Sequence, residues 1–156
     1  MLTKIISGGQ TGADRGGLEA GKALNLATGG TMPRYFRTEL GQEPWMAEAY
    51  GMKDHPTSSE YPPRTEDNVK DSDGTIIFDM AKKFSPGSAL TKKLCVAYRK
   101  PCLVIKRSDL LSGPDIRSFV VQHDISILNV AGNRESSVPG ICSKVKNILM
   151  GAFYEG

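Results

Sequence analysis

Four stretches of the chain gather glycines, hydroxyls and guanidinium groups, the residue types that hold an anion through N–H, O–H and charged donors. The first is Ser7-Gly8-Gly9-Gln10-Thr11-Gly12-Ala13-Asp14-Arg15, which follows the apolar pair Ile5-Ile6 and opens a run with Ala13, Gly17, Ala20 and Leu24 at helical spacing. A strand-to-helix loop of this kind turns backbone N–H groups and the positive helix end outward, and glycines let the backbone approach a phosphate closely. Thr11 adds a hydroxyl and Arg15 a forked cation. The Gly-Lys-Ser/Thr ending of a P-loop and the glycine spacing of the dinucleotide fingerprint are both missing. The stretch therefore reads either as a phosphate-type anion site or as a tight turn alone.

The second stretch, Pro86-Gly87-Ser88-Ala89-Leu90-Thr91, feeds hydroxyls into another helix start. Ser88 either meets a ligand or only caps its helix, whereas Thr91, one turn further in, is less easily explained by capping. In the third, Arg64 to Gly74, Thr65 suits an N-cap with Asn68 three residues on, and Arg64 precedes that helix start within reach of an anion held there. Asp71, Ser72 and Asp73 fit a turn held by side-chain to backbone bonds. The fourth, Asn129 to Ser136, again follows a strand, with Asn129 and Gly132 placed to line the same edge. Loops at the carboxyl ends of parallel strands share one edge, so these stretches meet if their strands are neighbours.

No catalytic set can be composed from these residues. His55 and His123 are the only histidines, and neither adjoins a serine nucleophile motif. They cannot build a histidine metal site, no calcium loop occurs, and Cys95, Cys102 and Cys142 lack paired spacing. The cysteines read as small core hydrophobes, and no metal held by protein side chains is expected.

The elements that must carry these loops alternate. Strands are expected at Ile5-Ile6, Thr75-Ile76-Ile77-Phe78, Pro101-Cys102-Leu103-Val104-Ile105 and Ser126-Ile127-Leu128-Asn129-Val130. Helical stripes follow at Ala13 to Leu24, at Leu90, Leu94, Ala97 and Tyr98, at Ile116, Phe119 and Val120 after a start at Pro114, and at Ile141, Val145, Ile148 and Leu149, with Pro139 in the first turn. Four apolar strands, each followed by a helix, predict an α/β fold, a Rossmann-like three-layer sandwich with a mostly parallel sheet. Residues 29–64 show neither period and carry Tyr35, Phe36, Trp45, Tyr50 and Tyr61, which predicts a long ordered loop.

Length and composition bound the rest. A chain of 156 residues has one domain as its prior, and 39% hydrophobic with 24% charged residues fits neither a disordered chain nor a membrane span. The net charge of +3 comes from basic residues spread along the chain, so duplex DNA is not the expected partner. Met1-Leu2-Thr3-Lys4-Ile5-Ile6 turns polar and glycine-rich too early for a signal peptide, and a cytoplasmic protein is expected.

Taken in order, SGGQTGADRGGLEA (Ser7 to Ala20), GGTMPRYFRTE (Gly29 to Glu39), YPPRTEDNVKDSDGTIIF (Tyr61 to Phe78), PGSALT (Pro86 to Thr91) and LNVAGNRESSVPGI (Leu128 to Ile141) resemble the molybdenum carrier family, circularly permuted relatives of the molybdenum cofactor carrier proteins. The resemblance implies a Rossmann-like fold, no established reaction, and binding of molybdenum cofactor (molybdopterin), a pterin bearing a phosphate and a dithiolene. Carried over position by position, it points to Gly8, Gly9, Gln10, Thr11, Asp14, Arg15, Arg64, Thr65, Asn68, Gly87, Ser88, Thr91, Asn129 and Gly132, with Arg34 supplying the charge of a lysine common in the family. Thr31 and Met32 stand where relatives more often have tryptophan and cysteine, Tyr35 takes a glycine place, and Pro86 replaces a glycine N–H donor.

The expected partners are the small anionic ligand, molybdoenzymes or cofactor-synthesis proteins, and further copies of the chain in a homo-oligomer, with neither membrane nor nucleic acid among them. The competing reading is a nucleotide phosphoribohydrolase, whose Pro-Gly-Gly-x-Gly-Thr loop is partly matched at Pro86 to Thr91. There Lys92-Lys93-Leu94 follows, without the expected carboxylate.

Overall fold

A computed structural model describes residues 1–111 and 115–155. In chain order the elements are β1 (Lys4–Ser7), α1 (Ala13–Ala23), β2 (Ala27–Met32), a 3-10 turn (Arg34–Phe36), β3 (Arg37–Thr38), β4 (Gly41–Gln42), α2 (Met46–Tyr50), β5 (Met52–Asp54), α3 (Tyr61–Asp71), β6 (Gly74–Asp79), α4 (Pro86–Ala97), β7 (Cys102–Lys106), a second 3-10 turn (Arg107–Leu111), α5 (Ile116–Gln122), β8 (Ile127–Gly132) and α6 (Ile141–Phe153). The expected helix start at Pro114 lies outside the described residues; α5 is capped by Asp115, whose side chain accepts from the Ser118 N–H.

Six strands form one sheet in the order β5-β2-β1-β8-β6-β7, and every pair in it is parallel. Because β1 and β6 flank β8, the loops that leave these strands open side by side on the carboxyl edge. Helix α1 packs on α6, which also meets α5, while α3 packs on α4, so the sheet lies between two helical layers as the Rossmann-like reading requires. All six residues of β6 are buried, and Ile141, Val145 and Leu149 of α6 enter the main core beside Ile76, Phe78 and Val130.

The sheet holds two more strands than the apolar runs indicated. β5 lies in the stretch expected to be loop, and β2 runs into its start. β2, Ala-Thr-Gly-Gly-Thr-Met, has no apolar run, and its extended form comes from pairing with β1, Ile5 opposite Thr28 and Ile6 opposite Gly29. β5 is three residues long and pairs Met52 with Gly30. The same stretch adds the antiparallel β3–β4 hairpin and a small core of Leu18, Met32, Met46 and Met52. Met32 is fully buried in that core, and Tyr35 takes the left-handed backbone, φ 65°, at the place the family gives to glycine.

Three helix starts also move. α3 begins at Tyr61 with Glu60 as N-cap, because Pro62 and Pro63 fit a first turn whose N–H groups would lack partners anyway. Thr65 is therefore inside the helix, its hydroxyl donating to the Tyr61 carbonyl at 3.0 Å. α6 is capped by Gly140 in the left-handed region, leaving Pro139 outside the helix. α4 is capped by Ser85. Among the cysteines, Cys95 is fully buried, while Cys102 and Cys142 are only half-buried.

Candidate functional site

The loops after β1, β6 and β8 and the first turns of α3 enclose a cavity of about 510 Å³. Gln10 and Asp14 come from the first loop, Tyr61, Pro62, Arg64 and Thr65 from α3, Ser85, Pro86, Gly87, Ser88, Leu90 and Thr91 from the α4 start, and Ala131, Gly132, Asn133, Arg134 and Ser137 from the segment after β8. Asn133 ties three of these segments together. Its Oδ1 accepts from the Met80 N–H at 2.7 Å and its carbonyl from the Ala13 N–H at 3.0 Å. Gly132 has φ 151°, and a Cβ there would strike the Phe78 carbonyl, so only glycine lets β8 turn into the cavity wall.

Arg64 forms the floor. Its Nη1 donates to Thr65 Oγ1 at 2.8 Å, its Nη2 lies 4.0 Å from Asp14 Oδ2, and its buried Nε has no protein partner. Gly8 makes the space: a Cβ at that position would sit 2.5 Å from Arg64 Nη1. Gln10 is 6% exposed and its Nε2 is likewise without a partner, while its Oε1 accepts from the N–H groups of Thr11 and Glu39. Burial raises the Asp14 carboxyl above its ordinary value although Arg64 beside it pulls the other way, and burial lowers Arg64 although Asp14 favours its charge. A contact of 4.0 Å without a hydrogen bond leaves both charges incompletely compensated.

The loop amides behave otherwise than the sequence suggested. Gly9 N–H donates to Ser7 Oγ at 3.2 Å, Gln10 N–H to Asp14 Oδ2 at 3.2 Å, Thr11 N–H to Gln10 Oε1 at 3.1 Å, and Ala13 N–H to Asn133. The first loop thus closes on its own side chains and offers the cavity Gln10 and Asp14 instead of an amide cradle. At the α4 start, Ser85 Oγ accepts from the Ser88 N–H at 3.3 Å and lies 2.9 Å from both Asp79 Oδ2 and Ser88 Oγ. Burial of Asp79 would raise its carboxyl, but donors from Ser88 and Ser85 hold it below the ordinary value. The cap is therefore Ser85, and Ser88 is a wall residue. The Thr91 hydroxyl donates to the Gly87 carbonyl at 3.0 Å. Pro86 at the first helical position removes an N–H that has no helical partner in any case.

Of the positions singled out from the sequence, Gln10, Asp14, Arg64, Thr65, Gly87, Ser88, Thr91 and Gly132 line the cavity. The others brace it or lie apart. Thr11 donates its hydroxyl to Glu39 and accepts from the Glu135 N–H at 3.2 Å. Arg15 pairs with Glu43 at 2.8 Å, donates to the Gly9 carbonyl and lies over the Trp45 ring, so it locks the long loop onto α1. Asn68 bonds both the N–H and the carbonyl of Thr31, at 2.8 and 2.9 Å, and Asn129 donates to Thr75 Oγ1 between β8 and β6. Gly9 sits against Met32, and Arg34 is exposed over the Tyr35 ring.

The other lining residues were not singled out as site residues, and among them Tyr61 and Arg134 bring an aromatic face and a further cation to the cavity. The guanidinium carbons of Arg37, Arg64 and Arg134 lie 4.9, 5.4 and 5.4 Å from the centre of the Tyr61 ring. A tyrosine three positions before Arg64, one helical turn away, was the available signal for the first; Arg134 stood in a stretch already noted.

A second cavity of about 560 Å³ lies at the opposite, amino edge of the sheet, between Leu2, Leu24, Val120, Val121 and Phe153. Its lining contains no buried polar atom without a partner, and its arginine, Arg117, pairs with Glu155 at 3.0 Å. The carboxyl-edge cavity is the one with unmet donors. Among the described residues no group of three or more His, Cys, Asp or Glu side chains is placed to hold a metal ion, and no helix is long and apolar enough to cross a membrane.

Fold and cavity together define a Rossmann-like α/β protein whose strand-end loops enclose a polar, cation-bearing pocket. Residues 5–153 match the circularly permutated YpsA SLOG family, and the chain belongs to it. A crystal structure of a protein of Syntrophus aciditrophicus SB, named "Putative molybdenum carrier protein", is 40% identical, with a TM-score of 0.86 over 99% of this chain and 96% of that one. No curated protein matches the chain.

Proposed function

We propose that this protein binds molybdenum cofactor, or a related phosphate-bearing pterin or nucleotide-like anion, in the carboxyl-edge cavity and stores, protects or delivers it without covalent change. The observation that carries this reading is Arg64: a buried guanidinium with an unpartnered Nε among the described residues and the Asp14 carboxylate 4.0 Å away. An anion in the cavity supplies the missing acceptor, and the unpartnered Gln10 Nε2 adds a second donor. About 510 Å³ lies within the range of sites for small molecules, roughly 300–1,000 Å³. The name of the Syntrophus protein supports a molybdenum-related ligand. The cofactor's own dithiolene would hold the metal, and this chain's residues would grip the phosphate and pterin.

The test is to incubate the protein with molybdenum cofactor, separate it by gel filtration, and measure molybdenum together with pterin fluorescence after release. The wild type should retain both in equal amounts. Arg64→Met, checked for folding by circular dichroism, removes a charge-assisted bond of about 1.5–3 kcal/mol and should weaken retention roughly tenfold to a hundredfold. Equal retention by the two proteins would remove Arg64 from the site.

A further inference from the structure

The cations gathered on Tyr61 outnumber the carboxylates that face them. Asp14 is the one acidic residue lining the cavity among the described residues, and it is opposite Arg64. Arg134 also lines the cavity, is exposed, and forms no ion pair among the described residues; the Arg37 side chain donates to the Ser59 carbonyl at 2.8 Å. A tyrosine ring presents negative potential at its faces, which holds guanidinium groups near each other despite their mutual repulsion. Arg134 also lies within electrostatic reach of Asp14 and of Glu39, which does not line the cavity, so three guanidinium groups around one ring face two carboxylates and positive charge remains in excess.

We infer that Arg134, held against Tyr61 beside the buried Arg64, makes the cavity selective for a ligand ending in a dianionic tetrahedral group, a phosphate monoester or a free oxyanion, over a monoanionic diester of the same size. The inference rests on the proposal that the cavity binds anions and adds to it the charge the ligand must carry. Selectivity is a difference of affinities, and it arises here because the second negative charge of a monoester meets the Arg134 guanidinium that a diester leaves unpaired. Arg64 serves both ligands, whereas Arg134 discriminates between them.

Calorimetric titration of the full chain at a pH above the second phosphate ionisation tests this with a pterin phosphate monoester, its methyl phosphodiester, inorganic phosphate and molybdate. Wild type should bind the monoester about tenfold or more tighter than the diester. Arg134→Gln should cut that ratio to about threefold or less with little change for the diester, and Tyr61→Leu should do the same by releasing the rim cations. A merely structural role for Arg134 would lower both affinities by one factor, and that result overturns the inference, as does a wild-type ratio below about twofold. If Arg64→Met weakens both esters while the wild type shows no such ratio, the anion cavity stands and the charge selectivity falls. If neither ester nor either free oxyanion binds, both fall. Phosphate or molybdate binding as tightly as the monoester upholds the selectivity and identifies a free oxyanion as the ligand.

Discussion

Replacing Asp14 by Asn should tighten anion binding, although Asp14 is a cavity residue and the usual expectation for such a change is loss. The carboxylate lies 4.0 Å from Arg64 in the cavity lining, and an anion bonded to the guanidinium at about 3 Å would put the two negative charges no more than roughly 7 Å apart. At an effective dielectric constant of about 20 their repulsion is about 2 kcal/mol, or roughly thirtyfold in affinity where Asp14 is ionised. Asparagine keeps an oxygen for the Gln10 N–H that now donates to Oδ2 at 3.2 Å, so the loop geometry survives.

Because burial has already raised the Asp14 carboxyl, and a bound anion raises it further, binding takes up a proton. Wild-type affinity should therefore climb as pH falls through the raised value, while the variant should stay flat. The probe is the methyl phosphodiester, which avoids the second phosphate ionisation at about pH 6. Titrations across this range should converge at low pH, where Asp14 is neutral in the wild type. A variant that binds no tighter at pH 8, or two parallel pH profiles, would refute the reasoning.

Gly8→Ala should weaken binding at least tenfold beside a near-native thermal midpoint, since the three atoms nearest the added methyl all belong to the Arg64 guanidinium, at 2.5 to 2.9 Å, at the end of a flexible side chain. Glu39 joins the hairpin to the Thr11 and Ser136 hydroxyls, and although partial burial opposes it, those donors hold the carboxyl below its ordinary 4.5. Its contribution to stability is present above 4.5 and is lost as pH falls through the lowered value. Glu39→Gln should consequently flatten the acid limb of a stability profile measured by urea unfolding, and an unchanged limb would place the acid sensitivity elsewhere.

The layered α/β architecture was readable because strands that pack between helices announce themselves as apolar runs: Thr75–Phe78 falls within β6, and Pro101–Ile105 and Ser126–Val130 begin one residue before β7 and β8. Helix stripes such as Ile141, Val145 and Leu149 were equally plain, because one face of α6 meets the core. β2 and β5 were invisible, since Gly29, Gly30 and Thr31 are extended by backbone pairing with neighbours distant in sequence and not by their own side chains. The start of α3 was misplaced by the prolines that in fact begin it.

The residue types alone determined that the carboxyl edge would be rich in donors, and the alternation of strands and helices determined that such an edge would exist. Only the tertiary structure decided how those donors are used. It closed the amides of residues 9, 10, 11 and 13 on the protein itself, turned Arg15 toward Glu43, and left Arg64 and Gln10 with unmet donors. Whether a polar group is free depends on the partners that folding brings from far along the chain. Glu43 lies 28 positions from Arg15 and Asn133 supplies the acceptor for Ala13, pairings that no local spacing reveals. The gathering of Arg37, Arg64 and Arg134 around Tyr61 is of the same kind, since residues drawn from three separate segments share one ring only after the sheet has formed.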